Sequence, residues 1–322
     1  MMPLRSLLLV LLASRPVLTK RVTVFGGTGF VGSRVCATLV EKGATVTSIS
    51  KSARVPEWAS DEPWTTSVNW ISADLLASDP DQLASSTGSP DAVVSCVGVV
   101  GTDVEVLRRG NGLANINAFA AAKRAGVKRA VVVTVASEVA DCQAAWLPAL
   151  GLGFFEGYFD GKRQAEEAVA DAVGGDATKW TVVKPSFIYG GDTFVLPLPG
   201  RAALPRVSYA YGSAVEELLS IPAIEALADA LPKGWLIKVG LRPPSSVNAV
   251  AACCASAALG ELVTGAATRR AVGTLDGTAA IKAAAGEPPS TGLNDALYRV
   301  RVALTDAAES AKARIDEMRS GR

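Results

Sequence analysis

Arg21-Val-Thr-Val-Phe-Gly-Gly-Thr-Gly-Phe-Val-Gly32 decides how this chain is read. Val22, Val24 and Phe25 predict a short buried strand. Gly26, Gly29 and Gly32 follow at G-x-x-G-x-x-G spacing. Ser33 to Lys42 then carries Val35, Leu39 and Val40 at helical intervals and stops at Gly43. A strand, a glycine turn and a helix, in that order, open a dinucleotide-binding βαβ unit. The turn must be glycine-rich because the backbone has to pass close to a pyrophosphate, and the helix N-terminus presents N–H groups and a partial positive charge to it. Gly26, Thr28, Gly29, Phe30 and Gly32 are therefore the first cofactor-binding candidates. The competing reading is a tight turn that binds nothing.

Downstream, strands and helices alternate. Thr45 to Ser50 is the second strand. An acid near its end would hold ribose hydroxyls, as in NAD-specific proteins. Here the strand runs into Ser50-Lys51-Ser52-Ala53-Arg54. Lys51 and Arg54 with two hydroxyls suit a 2′-phosphate, which places NADP ahead of NAD; a solvated loop is the alternative. Pro56 to Trp70, with Trp58, Trp64 and Trp70, reads as a loop or short helix. Val68 to Ala73 is the third strand, with Asp74-Leu75 at its end. Asp74 is either an acceptor for an adenine amino group or a helix N-cap. Asp79 to Ser86 reads as a helix and Ala92 to Cys96 as the fourth strand, with Val97-Gly98 turning beside the expected cofactor. Asp103 to Ala125 is helical with a break near Gly110-Asn111-Gly112. The β-branched run Ala130 to Val135 predicts a central parallel strand buried on both faces. Residues 136–156 read as a loop, Tyr158 to Val173 as a helix, and Trp180 to Lys184 as a strand closed by Pro185. This alternation predicts an α/β fold, a doubly wound parallel sheet, with a small C-terminal lobe.

The lobe is placed at 191–246, a stretch rich in proline, leucine and aromatics with weak strand signals. Val247 to Leu259 is an apolar, alanine-rich helix, and Asn294 to Met318 a charged one. Residues 20–285 thus form the main domain and 286–322 a helical tail. Residues 1–19 read as a targeting leader: Met1 to Lys20 is basic, contains the apolar run Leu7 to Ala13 and holds no acid, the first acidic residue being Glu41. That composition suggests an organelle transit peptide or a secretory signal, and the run is too short for a transmembrane span. A short extra helix on the domain is the alternative.

The 32 Lys and Arg nearly balance the 31 Asp and Glu, so no basic excess points to nucleic acid. The chain has no histidine, which excludes Ser-His-Asp and Cys-His catalysis and any histidine-ligated metal; no metal site is expected. Acid–base work falls to Tyr, Lys, Asp, Glu or Cys. Cys36, Cys96, Cys142, Cys253 and Cys254 show no C-x-x-C spacing and read as small buried hydrophobes.

Tyr158-Phe-Asp-Gly-Lys162 is the second decisive stretch. At i and i+4 of a helix, phenol and ammonium share one face. A neighbouring cation favours the phenolate and lowers its pKa. Tyr158 would pass a proton to or from a carbonyl oxygen while hydride moves at a nicotinamide, and Lys162 would also hold the nicotinamide ribose. A hydroxyl to polarise the carbonyl is expected from Thr134, ahead of Ser137. Asn111 is a candidate organiser of backbone or water, or simply a helix-break residue.

Together, Gly26 to Gly32, Asp74-Leu75, Asn111 to Asn117, Gly126 to Arg129, Tyr158 to Glu166, Lys184 to Gly190 and Pro244 to Val250 resemble the short-chain dehydrogenase/reductase superfamily in its extended, atypical branch. The resemblance runs from about residue 21 to about residue 260. The last three stretches are similar to an organellar subgroup that includes mitochondrial proteins associated with ubiquinone biosynthesis, plastid relatives, and the nucleotide-binding accessory subunit of respiratory complex I. The resemblance implies an NAD(P)-binding Rossmann domain, with Tyr158 and Lys162 as the acid–base pair, Thr134 as the hydroxyl, and Pro185 to Phe187 beside the nicotinamide. Thr134 stands where the superfamily usually has serine, and Ser186 where the subgroup often has glycine. Several atypical members keep the nucleotide as a structural group.

Two functions follow as expectations. One is an organellar NAD(P)-dependent oxidoreductase acting on a hydrophobic carbonyl, hydroxyl or quinone-related substrate, in the mitochondrion ahead of the plastid. The other is a nucleotide-binding structural or assembly subunit of an organellar complex. An RNA-binding role is weaker, since the charge is neutral. Peripheral membrane association is compatible with either of the first two.

Overall fold

The computed structural model describes residues 19–143, 150–153, 155–191, 207–262 and 273–287. Seven strands form one parallel sheet: β1 (Arg21–Phe25), β2 (Thr45–Ser50), β3 (Val68–Ser72), β4 (Ala92–Ser95), β5 (Arg129–Val133), β6 (Trp180–Lys184) and, last in the chain, Thr274–Asp276. Their spatial order is β3-β2-β1-β4-β5-β6 and then Thr274–Asp276. The order reverses between β1, which pairs Val22 with Val46 of β2, and β4, which pairs Ala92 with Val22. That switch point opens a crevice at the carboxyl ends of the strands.

The strands are apolar on both faces because helices cover both. On one face, Val22, Val24, Val94, Val131, Val133 and Val183 pack with Val35, Cys36 and Leu39 of α1 (Phe30–Glu41) and with the helix Val247–Leu259. On the other, Phe25, Ile49, Val93, Val132 and Val182 pack with Leu83 of α2 (Pro80–Thr87), Ala118 and Phe119 of the helix Ala114–Arg124, and Ala165 and Val169 of the helix Phe155–Ala172. The neighbouring residues Val131 and Val132 thus serve opposite layers, as the two-residue period of a strand requires.

Several boundaries differ from expectation. Helix α1 begins at Phe30 rather than Ser33, because Gly29 is its N-cap and Ser33 N already donates to Gly29 O at 3.0 Å. The tryptophan stretch holds two single 3-10 turns, Glu57–Ala59 and Pro63–Ser67, over which Trp58, Trp64 and Trp70 lie in sequence at 5.9 and 6.2 Å between ring centroids. The break at Gly110-Asn111-Gly112 is a π turn, Arg109–Leu113, between α3 (Val104–Arg108) and α4 (Ala114–Arg124). A four-residue helix, α5 (Ser137–Ala140), interrupts the stretch read as loop, and α6 (Phe155–Ala172) begins three residues before Tyr158.

The lobe is helical, which corrects the weak strand signal assigned to it. Among the described residues it contains α7 (Tyr209–Leu219), α8 (Pro222–Ala230) and α9 (Leu236–Gly240), with a short parallel pair, β7 (Ile188–Tyr189) and β8 (Ser245–Ser246), at its base. Pro222 sits at the start of α8, where its missing N–H costs nothing. Then come α10 (Val247–Leu259), capped by Ser246 Oγ on Asn248 N and Ala249 N, β9 (Thr274–Asp276) and α11 (Thr278–Ala285). The seventh strand and its helix were not legible in the sequence. The expected leader up to residue 18 and the expected helix Asn294 to Met318 lie outside the described residues.

The contact that seats α1 on the turn leaves no room for a side chain. A Cβ on Gly32 would lie 2.2 Å from Gly26 O and 2.9 Å from Gly27 Cα, both backbone atoms. Gly32→Ala is therefore expected to push α1 off the turn and cost about 1–3 kcal/mol of stability. Gly240→Ala, with nothing within 4 Å, should stay within about 0.5 kcal/mol. Urea unfolding of both variants checks this, and equal midpoints would refute it.

Candidate functional site: a dinucleotide cleft with a buried lysine

The glycine turn shapes the cleft. Gly26 adopts φ +78°, donates from N to Ile49 O at 2.8 Å, and accepts at O from Gly29 N at 2.9 Å. Gly29 caps α1 without any side-chain acceptor, so first-turn N–H groups face the crevice. A cavity of about 300 Å³ lies there. It is lined by Gly26, Thr28 and Gly29 of the turn, Ser50 and Lys51 at the end of β2, Asp74 to Leu76 after β3, and Cys96 to Val99 after β4. The same backbone would contact a pyrophosphate, and side chains there would fill the space: a Cβ on Gly26 would come within 3.2 Å of Cys96 C and O.

Ser50 Oγ is buried with no hydrogen-bond partner among the described residues. It lines the cleft where the adenosine ribose of a dinucleotide belongs, and an orphaned buried hydroxyl invites a ligand partner. Beside it, Lys51 Nζ pairs with Asp74 Oδ2 at 2.9 Å, and Asp74 Oδ1 accepts from Leu76 N at 3.0 Å. Lys51 first, then the Leu76 N–H, hold the Asp74 carboxyl below its usual range. Both carboxylate oxygens are engaged, so Asp74 anchors Lys51 and its own turn; the N-cap of the next helix is Asp79. Arg54 is exposed on the loop beyond, where Ala53 takes φ +50°, and does not line the cavity. Phe30 lies outside the cavity lining as well, its ring 5.0 Å from the Arg34 guanidinium, which also covers Trp58 at 3.9 Å.

Tyr158 and Lys162 on α6 do not line this cavity; Lys162 reaches its wall from behind, at the Val97 carbonyl. Lys162 is buried, donating from Nζ to Val133 O at 3.3 Å and Val97 O at 3.4 Å, with Nζ 5.6 Å from the Tyr158 ring centroid. The lysine thus ties the ends of β4 and β5 together. Desolvation pulls its ammonium down to about 8, opposed by the nearby Cys96 and Glu166. Burial pushes the Tyr158 phenol up to about 12. This corrects the expected lowering of the phenol: loss of water dominates, and the amine sits over the ring face, 5.6 Å from its centroid.

Close backbone packing holds this pair in place. A Cβ on Gly157 would lie 1.9 Å from Val104 O, and one on Gly161 2.8 Å from Gly112 N, so α6 lies directly on α3 and the π turn. A Cβ on Gly98 would be 2.9 Å from both Lys162 Nζ and Asn111 Oδ1. The Gly157-x-x-x-Gly161 spacing that brackets Tyr158 was the available sequence signal for this contact.

Asn111 is fully buried, and its amide is saturated by backbone. Nδ2 donates to Val99 O and Leu107 O, each at 2.9 Å, and Oδ1 accepts from Val99 N at 3.3 Å. It fixes the loop after β4 to the π turn, as the backbone-organising alternative of the sequence reading has it. Thr134, the residue after β5, donates its hydroxyl to Glu166 Oε1 at 2.8 Å, and Lys184 Nζ grips Glu166 at 3.0 and 3.1 Å. That proton is not available to polarise a carbonyl, so the preference for Thr134 is corrected. Glu166 and Lys184 are the site residues that sequence reasoning missed; both stood in quoted motifs without a role. Ser137 opens α5, its N donating to Asp276 Oδ1 at 3.1 Å.

Pro185 O accepts from Ala136 N at 2.9 Å, binding the loop after β6 to the loop after β5. Ser186 Oγ donates to Pro243 O at 2.6 Å, and Phe187 stands exposed. A second cavity, about 360 Å³, opens below them, lined by Ala136, Glu138, Ser186, Arg242, Thr278 and neighbours.

A parallel sheet with a switch-point crevice and a glycine cradle at the carboxyl end of β1 is the arrangement of a dinucleotide-binding α/β fold. The NAD(P)H-binding family model matches residues 26–197, and the chain belongs to that family. A chloroplastic protein of Arabidopsis thaliana is 34% identical over 216 residues, 66% of this chain and 66% of its own length. MIOREX complex component 2 of Saccharomyces cerevisiae is 33% identical over 82 residues, 25% of this chain and 29% of its own length. The chain thus spans less than two thirds of either relative, at 66% and 29%. Among solved structures, UDP-N-acetylglucosamine 4-epimerase from Methanobrevibacter ruminantium superposes with a TM-score of 0.51 at 17% identity, covering 81% of this chain and 76% of that one, which shows the fold.

The buried lysine leaves a signature in stability. Its folded pKa of about 8 lies below the ordinary 10.5, so between those values the unfolded chain holds a proton that the folded chain has lost. Stability contributed by this group therefore rises with pH across that window. Wild type is expected to gain on Lys162→Met as pH goes from about 8 to about 10.5, measured as urea midpoints of both proteins at each pH. A difference that stays flat would refute the burial.

Proposed function

We propose that this protein is an organellar oxidoreductase that uses NADP to reduce a carbonyl on a hydrophobic, quinone-related or isoprenoid substrate. The observation that carries the reading is the buried Lys162 beside Tyr158, its Nζ on the carbonyl of Val97, a residue of the cleft wall. The nicotinamide would supply the hydride. Tyr158, its phenol held near 12, keeps its proton at neutral pH and is loaded as the donor to a carbonyl oxygen. As that proton leaves, the Lys162 ammonium stabilises the phenolate, and Lys162 also lies within reach of a ribose at the Val97-Gly98 turn. Ser137 is the remaining hydroxyl to steady the carbonyl.

Preference for NADP rests on Ser50, Lys51 and Arg54: an orphaned hydroxyl and a lysine in the cleft, and a second cation on the adjoining exposed loop. No acid occupies the end of β2 to bind ribose hydroxyls. An organellar setting draws on the basic, acid-free leader and on the chloroplastic relative.

A second reading is a nucleotide-binding assembly subunit without turnover. It is favoured by the hydrogen bond that commits Thr134 to Glu166, and by a relative named as a component of a complex. Purification as a lone species on native gels of organellar extract would count against it.

Nucleotide released on denaturation is expected to be NADP. Tyr158→Phe should lower turnover of quinone-type compounds by about 10²–10⁴-fold while nucleotide affinity holds. Unchanged turnover would refute the enzymatic reading. Lys51→Ala combined with Arg54→Ala should weaken NADPH by about tenfold or more and leave NADH unaffected, as read by fluorescence titration.

A further inference from the structure

Lys162 is buried on two carbonyls, Val97 O and Val133 O, and pairs with no carboxylate among the described residues. Two acidic groups bear on it from farther away, Cys96 and Glu166, and both favour the charged amine. Burial pushes the Cys96 thiol up to about 12, so it is uncharged at neutral pH. The Glu166 carboxylate is then the negative charge that offsets the desolvation of Lys162.

Glu166 is built into the site from two strands. It lies one turn beyond Lys162 on α6, and i, i+4 spacing puts it on the face that carries Tyr158 and Lys162. Oε1 accepts from the Thr134 hydroxyl at 2.8 Å and from Lys184 Nζ at 3.0 Å, and Oε2 accepts from Lys184 Nζ at 3.1 Å. Thr134 follows Val133, whose carbonyl seats Lys162, and its own N–H donates to Val183 O at 2.9 Å. Lys184 ends β6, the strand beyond the β4 and β5 ends that Lys162 joins. The backbone that holds the amine therefore also fixes the carboxylate.

Other charged groups on the elements around α6 are engaged elsewhere. Arg108 of α3 meets Glu105 and Asp160, and Lys123 of α4 meets Asp171. Arg163 of α6 meets Glu167, and Arg109 of the π turn is exposed.

We propose that Glu166 is a positioning residue for Lys162: Thr134 and Lys184 hold its carboxylate where its charge keeps the buried amine an ammonium. Its use in catalysis rests on the oxidoreductase reading, in which that ammonium steadies the Tyr158 phenolate. The electrostatic link itself is readable without turnover.

Urea midpoints of wild type, Glu166→Gln and Lys184→Gln, each with and without Lys162→Met, test this from about pH 6 to about pH 11. In wild type the gain over Lys162→Met sets in at about pH 8. Without the Glu166 charge the folded amine gives up its proton more readily, so in Glu166→Gln the gain should set in about one pH unit lower. Lys184→Gln breaks the same clamp but keeps the carboxylate, so it should lower the midpoint without bringing that onset down. If the Lys162→Met proteins do not fold, Glu166→Gln is read against wild type alone. Its midpoint should then climb relative to wild type between about pH 7 and about pH 8. Coincident onsets in wild type and Glu166→Gln overturn the proposal. So does an onset lowered as far by Lys184→Gln, which would make the clamp and not the charge responsible. Neither outcome depends on whether Tyr158→Phe loses turnover, so failure here is told apart from failure of the oxidoreductase reading.

Discussion

Everything in the molecule depends on how closely α1 approaches the glycine turn. Gly32 rests against Gly26 O at a separation that no side chain tolerates, and Gly26 bends into the left-handed region to present that oxygen. This contact aims the first-turn amides of α1 into the crevice between β1 and β4. It also lowers α1 onto the sheet far enough for the helix Val247–Leu259, buried at every position but Asn248 and Ala252, to pack beside it through alanine and cysteine side chains. Larger residues on either helix would lift both from the strands. The buried thiols Cys36, Cys253 and Cys254 are part of that thin layer, and burial raises each of them above the ordinary thiol range.

A second constraint acts behind the wall of the crevice. With no histidine in the chain, the site's ionisable groups are a lysine held between backbone carbonyls and a phenol among aromatic rings, with Phe155 at 6.1 Å and Phe159 at 5.3 Å. Burial moves the two in opposite directions, lysine down and tyrosine up, so the uncharged form of each is favoured. Around them the polar side chains are already matched: Asn111 to backbone, and Thr134 and Lys184 to Glu166. Two buried hydroxyls among the described residues stay unmatched, on Ser48 and on Ser50, and the second lines the cleft.

The sequence exposed the parts whose signal is local. Strand, turn and helix at Arg21 to Lys42, the runs at Thr45–Ser50 and Trp180–Lys184, and the helix Val247–Leu259 are each set by a period or a cap, and their bounds match closely. That Tyr158 and Lys162 stand together on one helix was legible from their spacing and from their place after the fifth strand of a glycine-turn domain. Side-chain partners were not legible. Thr134 meets Glu166 across 32 positions, and Lys51 meets Asp74 across two strands, distances over which spacing carries no information. Thr274–Asp276 was missed because a three-residue edge strand is too short for a period to show. Prolines in the lobe suggested irregular chain, whereas Pro222 begins a helix.

The π turn at Arg109–Leu113 has a reach beyond its five residues. A widened turn holds one residue more than the helix around it would, and each residue advances a helix by about 100°. Val104–Arg108 and Ala114–Arg124 are therefore rotated by about 100° relative to one uninterrupted helix. Leu107 is buried by the first half, and Ala118, Phe119 and Ala122 by the second. A single-residue deletion at this turn would act as a rotational frameshift, swinging one half's apolar stripe outward while leaving its hydrogen-bond ladder intact.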